Sequence, residues 1–314
     1  MPWPPGSVPL MLAPMQGLTN RALRQVQYDI AAPDVLFTEF IRVREKTPRL
    51  ISAVDRAEVQ ATVGAPLVAQ IIGQSAERLA QAAVELQQCG VRHINLNLGC
   101  PFGRMVSGSS GGAMLRQPEL VYACVRSLRR VVTGSFSVKV RAGFDDSEQI
   151  FSLLPMFAGE GVDFIVVHPR TVVQKYAGSA DHTITARVVA ATALPVIANG
   201  DVVCARQGRE LLRDSGAAGL MLGRAAIADP LLFQRLRRPD CAAADPQQRR
   251  ADAARYLTRL LAGYSDIFCG DQQILGKIKA VLACFSDVCF DVMVFKLRRC
   301  RSVAAFSSEL RRWQ

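Results

Sequence analysis

Between Val8 and Ala225, short runs of consecutive apolar residues alternate with longer segments in which apolar residues return every three or four places. The short runs are VPLMLAPM (8–15), VLFTEF (35–40), PLVAQIIG (66–73), HINLNLG (93–99), FSVKVRAG (136–143), FIVVHPR (164–170), LPVIANG (194–200) and GLMLGRA (219–225). Continuous apolar runs of this length suit strands covered on both faces, as in a parallel sheet. The intervening segments carry helix signals. Ser75 stands before AERLAQAAVELQQC with Gly90 after it, and PELVYACVRSLRRVV opens on Pro118. Eight such strands with helices between them predict an α/β fold, a (β/α)8 TIM barrel.

The alternation stops after DPLLFQRLRRPD. CAAADPQQRR (241–250) has the composition of a linker, and ADAARYLTRLLAGY and QILGKIKAVLACF return to helical spacing with no strands between them. The expected organisation is therefore a barrel over residues 1–240 and a small C-terminal helical domain over 247–314.

Charge adds to this picture through its distribution. Of the formal net charge of +11, the segment 247–314 carries +6, from twelve Lys/Arg against six Asp/Glu. Such a surplus suits a polyanionic partner, nucleic acid above all, although a solvated basic helical face would look the same by charge alone. MPWPPGSVPL lacks the charged-then-apolar layout of a signal peptide, and no apolar run reaches the length of a membrane span, so a soluble, cytoplasmic protein is expected. The nine cysteines form no CxxC pair and the three histidines supply no metal-ligand spacing. Most of the thiols are expected to be reduced, buried small hydrophobes, and no metal is expected.

In a barrel the active site gathers at the carboxyl ends of the strands. Polar residues fall there repeatedly: Gln70, Asn97 and Cys100, Lys139 and Arg141, His168 and Arg170, Asn199 and Asp201, and Gly223 with Arg224. Lys139, inside the apolar run SVKVR, is costly unless it is paired or serves a ligand. ANGDV and LGRAAIADP offer glycines and a cation for an anion at the seventh and eighth strand ends. Gln70 can both donate to and accept from a planar heterocycle. Together they suggest a phosphorylated flat cofactor, while no GxGxxG fingerprint is present.

LAPMQGLTN, VAQIIG, INLNLGCP, GGAML, VKVRAG, VVHPRT, PVIANGDV and LMLGRAAIADP, in this order from about residue 10 to 235, resemble the tRNA-dihydrouridine synthases. FTEFIRV (37–43) is most similar to subfamily C, which modifies position 16 of the tRNA D-loop. The resemblance implies an FMN-binding barrel, NADPH as reductant, and a helical domain that helps hold tRNA; separately, a monomer is expected. By that resemblance Ala13, Pro14 and Met15 back the flavin ring, and Gln70 and Lys139 address its polar edge. His168, Asn199, Gly200, Asp201, Gly223 and Arg224 hold the ribityl chain and phosphate. Asn97 binds the uracil, with Glu39, Arg170 and Tyr176 toward the substrate.

The implied chemistry is hydride transfer from FMN N5 to uracil C6 and protonation of C5 by Cys100. A free thiol titrates near ~8.5 and is mostly protonated at neutral pH, so it can serve as an acid. The target base must leave its stack to be reached. Two departures from the family pattern stand out: the loop PFGRMVSGSSGGAML is one residue longer, with Arg104 as its nearest cation where a lysine is common, and the segment ADHTITARV lacks a tryptophan. The alternatives are action at position 20, an FMN barrel acting on a free small molecule, and an RNA-binding protein that has lost catalysis.

Overall fold

The computed structural model describes residues 1–61, 63–101, 110–238 and 245–314. The first strand, β1 (Leu10–Leu12), is followed by α1 (Arg21–Ala31), β2 (Val35–Phe37), a two-residue β3 (Ile41–Arg42), α2 (Ala53–Gln60), β4 (Leu67–Ile72) and α3 (Ala76–Gln88). Then come β5 (His93–Leu98), α4 (Pro118–Val131), β6 (Ser135–Gly143), α5 (Gln149–Gly159), β7 (Phe164–Thr171), α6 (His182–Ala191), β8 (Val196–Asn199), α7 (Ala205–Ser215) and β9 (Gly219–Leu222). After the short α8 (Arg224–Ala228) and α9 (Leu232–Arg237), four helices close the chain: α10 (Pro246–Ser265), α11 (Gly270–Leu282), α12 (Asp291–Arg299) and α13 (Val303–Arg311).

All strand pairings are parallel. β1 pairs with both β2 and β9, and β2 pairs with β4, so eight strands close into the barrel expected of the pattern. β3 had no counterpart in that reading; it extends the wall by pairing Ile41 and Arg42 with Ile71 and Ile72. The helix signals act as anticipated. The Ser75 hydroxyl accepts from Arg78 N, Gly90 follows α3 at φ 91°, and Pro118 opens α4.

Strand alternation sorts the side chains into two sets. Met11, Val35, Phe37, Val68, Phe164, Val166, Ile197 and Met221 fill the lower barrel interior, with Trp3 set edge-on against Phe164 at 4.8 Å. Outward residues of β4–β7 pack under α3 to α6 in a second core. Near the mouth Arg141 lies opposite His168 and Gly143 opposite Thr171, so β7 carries one extra residue beside Pro169, which has no N–H for the ladder.

The third core joins the C-terminal helices to the barrel. Ala253, Tyr256, Leu257, Leu260, Leu261 and Tyr264 recur at helical spacing along α10 and are buried with Leu10, Ala22, Leu23, Val26 and Leu220. Gly263 makes the approach to α1 possible, since a Cβ there would lie 3.2 Å from that of Ala22. Outside this seam Arg259 pairs with Asp29 at 2.7 Å. α10 starts at Pro246, capped by the Asp245 carboxylate, so the second half of the expected linker is helix; residues 239–244 lie outside the described residues.

A core shared between the C-terminal helices and the barrel implies one cooperative unit. Trp3 reports on the barrel floor and Trp313 on the last helix. Single-tryptophan versions are expected to give coincident denaturant midpoints, and Leu257→Ala should lower both together by about 2–5 kcal/mol. Fluorescence-detected unfolding checks this; a Trp313 transition well before that of Trp3 would show the helices to be a separate unit.

Candidate active site at the barrel mouth

The alternation that fills the barrel floor also places the polar residues. Two places beyond an inward residue comes another inward position, nearer the carboxyl end. Val68 thus leads to Gln70, Ser137 to Lys139 and Arg141, Val166 to His168 and Arg170, Ile197 to Asn199, and Met221 to Gly223. Register sets Gln70 beside Asn95, Asn97 beside Lys139, and Arg141 beside His168.

Cys100 sits just past β5, half-buried. The peptide group between Gly99 and Cys100 is pinned at both polar ends. Its N–H donates to Asn97 Oδ1 at 3.0 Å, and its carbonyl accepts from Arg141 Nε at 2.8 Å. Asn97 Oδ1 also accepts from Gly99 N at 3.0 Å, and the Cys100 carbonyl accepts from Gly112 N at 3.2 Å. Arg141 further donates to Thr171 O at 2.8 Å and Lys175 O at 2.7 Å, tying the end of β5 to the loop after β7.

Lys139 keeps some of its surface open to the mouth, but its ammonium makes no hydrogen bond or ion pair with the described residues. The interior ion pair that the sequence left open is thus not formed among them. Burial, reinforced by the Arg141 charge, pushes the ammonium down from its ordinary value near 10.5 to about 7. His168, 7 % exposed, is driven down to about 2 by burial and by Lys139, Arg141 and Arg170, so its imidazole is neutral. Its Nε2 lies 3.2 Å from Arg170 Nη1, which can only donate, so Nε2 is the acceptor and Nδ1 carries the hydrogen.

Arg170 is committed elsewhere. Its guanidinium donates to both carboxylate oxygens of Asp201 and to the carbonyls of Ala177 and Gly178. Partial burial would raise the Asp201 carboxyl, but the hydrogen bonds from Arg170 and Ala180 N hold it below its usual range. The two residues assigned from sequence to substrate and to cofactor are therefore partners of each other. Gly200, at φ 126°, lets the chain turn under His168, where a Cβ would come within 3.1 Å of the ring. Asn199 donates to Met221 O at 2.8 Å.

On the other side, Ala13 N donates to Leu222 O at 2.8 Å, and Met15 is latched by Thr19 at 2.9 Å, with Pro14 between them. A Cβ on Gly223 would fill the space beside Met15 Sδ, at 3.3 Å. Tyr176, exposed, spans the rim: Arg224 lies 4.9 Å and Arg141 5.5 Å from its ring centroid, and the His168 ring 6.2 Å. Arg224 has no carboxylate partner among the described residues. Glu39 accepts from Gly17 N at 2.7 Å; burial raises its carboxyl, opposed by that bond and by the charge of Lys277 on α11.

Gln70 differs most from its expected free presentation. It is fully buried, its Nε2 donates to Asn95 Oδ1 at 2.8 Å and its Oε1 accepts from Asn97 Nδ2 at 2.8 Å. Asn95 and the clamping part played by Arg141 escaped the sequence reading. The available signal was the two-residue step in INLN and VKVR, which puts each beside a residue already singled out. Arg104 and the loop after Cys100 lie outside the described residues. Of the eight described cysteines, all free, only Cys124 and Cys284 are buried and Cys269 is exposed, so packing accounts for fewer thiols than expected. Among the described residues no cluster suited to a metal occurs, and no helix is long and apolar enough to cross a membrane.

The mouth thus combines Lys139 and Arg224, neither in an ion pair among the described residues, with a thiol on a fixed peptide, at the end of a barrel where enzymes of this fold work. Solved structures of similar fold include morphinone reductase (TM-score 0.56, 12% identity, 76% of this chain and 87% of that one) and histamine dehydrogenase from Rhizobium sp. 4-9 (TM-score 0.59, 14%, 81% and 48%).

The family is defined by sequence. The dihydrouridine synthase (Dus) family matches residues 11–285, and the chain belongs to it. A probable tRNA-dihydrouridine synthase of Rhodobacter capsulatus is 32% identical over 240 residues, 76% of this chain and 74% of its own. The tRNA-dihydrouridine(16) synthases of Haemophilus influenzae and Cupriavidus necator are 35% and 36% identical, covering 71% and 73% of this chain and 74% and 73% of theirs.

Lys139 makes the mouth sensitive to pH in a defined direction. In the unfolded chain it titrates near its ordinary value of 10.5, but in the folded ligand-free protein near 7. Between these values the unfolded chain holds one more proton, so stability rises with pH across the window; below about 7 the full cost of the buried ammonium is present. Lys139→Met is expected to raise the melting temperature most below pH 7, with the gap closing toward pH 10. A gap independent of pH in thermal scans would refute the assignment.

Proposed function

We propose that this chain reduces a uridine of the tRNA D-loop, at position 16, to 5,6-dihydrouridine, with FMN as bound cofactor and NADPH as reductant. The observation that carries the reading is the Lys139 ammonium, desolvated and in no hydrogen bond or ion pair among the described residues, beside the strand that leads to Cys100. Such a cation calls for an electron-rich partner, and Arg224, in no ion pair among the described residues, adds positive charge suited to a flat ligand bearing a phosphate. Ala13, Pro14, Met15, Gln70, Lys139, His168, Asn199, Gly200, Asp201, Gly223 and Arg224 would hold the flavin. Bound there, it would supply a hydride to C6 of the uracil.

Cys100 then protonates C5. Its peptide plane is set by Asn97 and Arg141, which fixes the direction of the Cα–Cβ bond before substrate arrives. Arg170 holds Asp201 and the turn after β8, and so acts on ligands through that turn. Tyr176 on the rim and the Asn97 amide face the incoming base, with Glu39 placed toward the helical end of the mouth. The basic helices from Pro246 onward grip the tRNA backbone while the base is drawn out of its stack.

Three outcomes are expected. Cys100→Ala should still bind FMN and accept electrons from NADPH, while dihydrouridine formation in unmodified tRNA falls by about 10²–10⁴-fold. Mass mapping of tRNA should place the wild-type product at position 16; full activity of the variant, or modification only at 20, would refute the respective part. Charge reversal at Arg298 and Arg299 should weaken tRNA binding and reduce the slope of log affinity against log salt by about 0.7–0.9 per lost phosphate contact. Binding isotherms at several salt concentrations decide it, and an unchanged slope would leave the basic surplus as a solvated face.

A further inference from the structure

Beneath the mouth, four side chains from three neighbouring strands form a hydrogen-bond chain with a fixed direction. Its upper end is set by groups that can only donate, the backbone N–H groups of Gly99 and Cys100, both 3.0 Å from Asn97 Oδ1. With its oxygen so placed, Asn97 must point its NH2 at Gln70 Oε1, at 2.8 Å. Gln70 must then point its own NH2 at Asn95 Oδ1, at 2.8 Å, and Asn95 donates from Nδ2 to Ser137 Oγ, also at 2.8 Å. Ser137 Oγ in turn faces Ile94 O at 3.4 Å. Gln70 and Asn95 are fully buried, Ser137 is 1 % and Asn97 7 % exposed, so bulk water cannot substitute for a missing partner.

We infer that Asn95 is a positioning residue for Cys100: it fixes the amide orientation of Gln70, hence that of Asn97, and so the peptide plane that aims the thiol. Asn95 touches neither the thiol nor the open mouth. Without its Oδ1, the buried Gln70 NH2 has no acceptor there, and reversing the Gln70 amide would set NH2 against the NH2 of Asn97. Asn97 would reverse in turn and present donors to the N–H groups of Gly99 and Cys100. The effect thus reaches the thiol as a change of orientation, relayed through the amides of Gln70 and Asn97. The inference rests on Cys100 being the proton donor.

The test compares Asn95→Leu, which removes the acceptor at similar volume, with Asn95→Asp, which still accepts from Gln70 and can accept from the Ser137 hydroxyl. Asn95→Leu is expected to lower kcat for dihydrouridine formation by about tenfold, with KM for tRNA within about twofold of wild type. Alkylation of Cys100 by iodoacetamide, followed peptide by peptide in the holoenzyme, should change in rate by about threefold or more, and Asn95→Asp should restore both values. In a Cys100→Ala background Asn95→Leu should have no further effect on the residual rate. Ser137→Ala, a milder cut at the far end, serves if Asn95→Leu does not fold, with a smaller shift in the same direction. Unchanged kcat and alkylation, a rise in KM alone, or additivity with Cys100→Ala would each overturn the inference. Absence of dihydrouridine from the wild-type reaction would instead refute the functional reading, while the alkylation comparison would still judge Asn95.

Discussion

The site depends on one geometric constraint, the two-residue alternation of strands in a closed parallel barrel. Each strand can offer the interior only every second side chain, and register decides which of these meet. Around the floor those places hold Met11, Phe37, Val68, Phe164, Ile197 and Met221, which pack as an ordinary apolar core. One wall breaks the pattern: β5 and β6 turn Asn95, Asn97, Ser137, Lys139 and Arg141 inward. Desolvating a lysine with no carboxylate at hand works against stability, and a barrel selected for stability alone would carry an apolar residue there. The apolar floor and the polar wall arise from the same alternation, so the site is as rigid as the core beneath it.

The C-terminal helices extend that rigidity outward. Tyr256, Leu257, Leu260 and Tyr264 are buried against α1 and the outer face of β1 and β9, in the same core as Ala226 and Ile227 of α8. α8 begins at Arg224, on the rim of the mouth, and Gln27 of α1 donates to Ala226 O at 2.8 Å. The charge of Lys277 on α11 also bears on Glu39. The basic face is therefore set at a fixed place relative to Cys100.

Most of the barrel was legible because its signals are local. Eight apolar runs, a serine cap at Ser75, and Pro118 at a helix start each act within a few residues, and the observed elements follow them. The strands are shorter than the runs where glycine or proline flanks them, as at Pro9, Pro14 and Pro195, and β3 could not be read because two residues carry no period. Pairings across the barrel were not legible. Arg170 and Asp201 stand 31 residues apart and were given separate tasks, whereas space makes them one ion pair. Composition made buried hydrophobes of most cysteines, but it is blind to where on a helix or turn each falls, and Cys269 is exposed.

Cys100 shows why the local and the distant had to be combined. A glycine and a proline on either side of a thiol mark where a strand stops, which is a statement about the backbone. What aims the sulfur is the peptide just before it, and that plane is held by residues from two directions. Asn97, three places earlier on the same strand, takes the N–H, while Arg141, on the neighbouring strand, takes the carbonyl. A side chain on one polar end alone would leave the peptide free to swing about that bond; with both ends held, its plane is set. Arg141 also ties the loop after β7 through Thr171 and Lys175, so one guanidinium bonds both that loop and the peptide before the thiol. The strand brings the thiol to the mouth, and the paired hold on its peptide fixes how the chain presents it there.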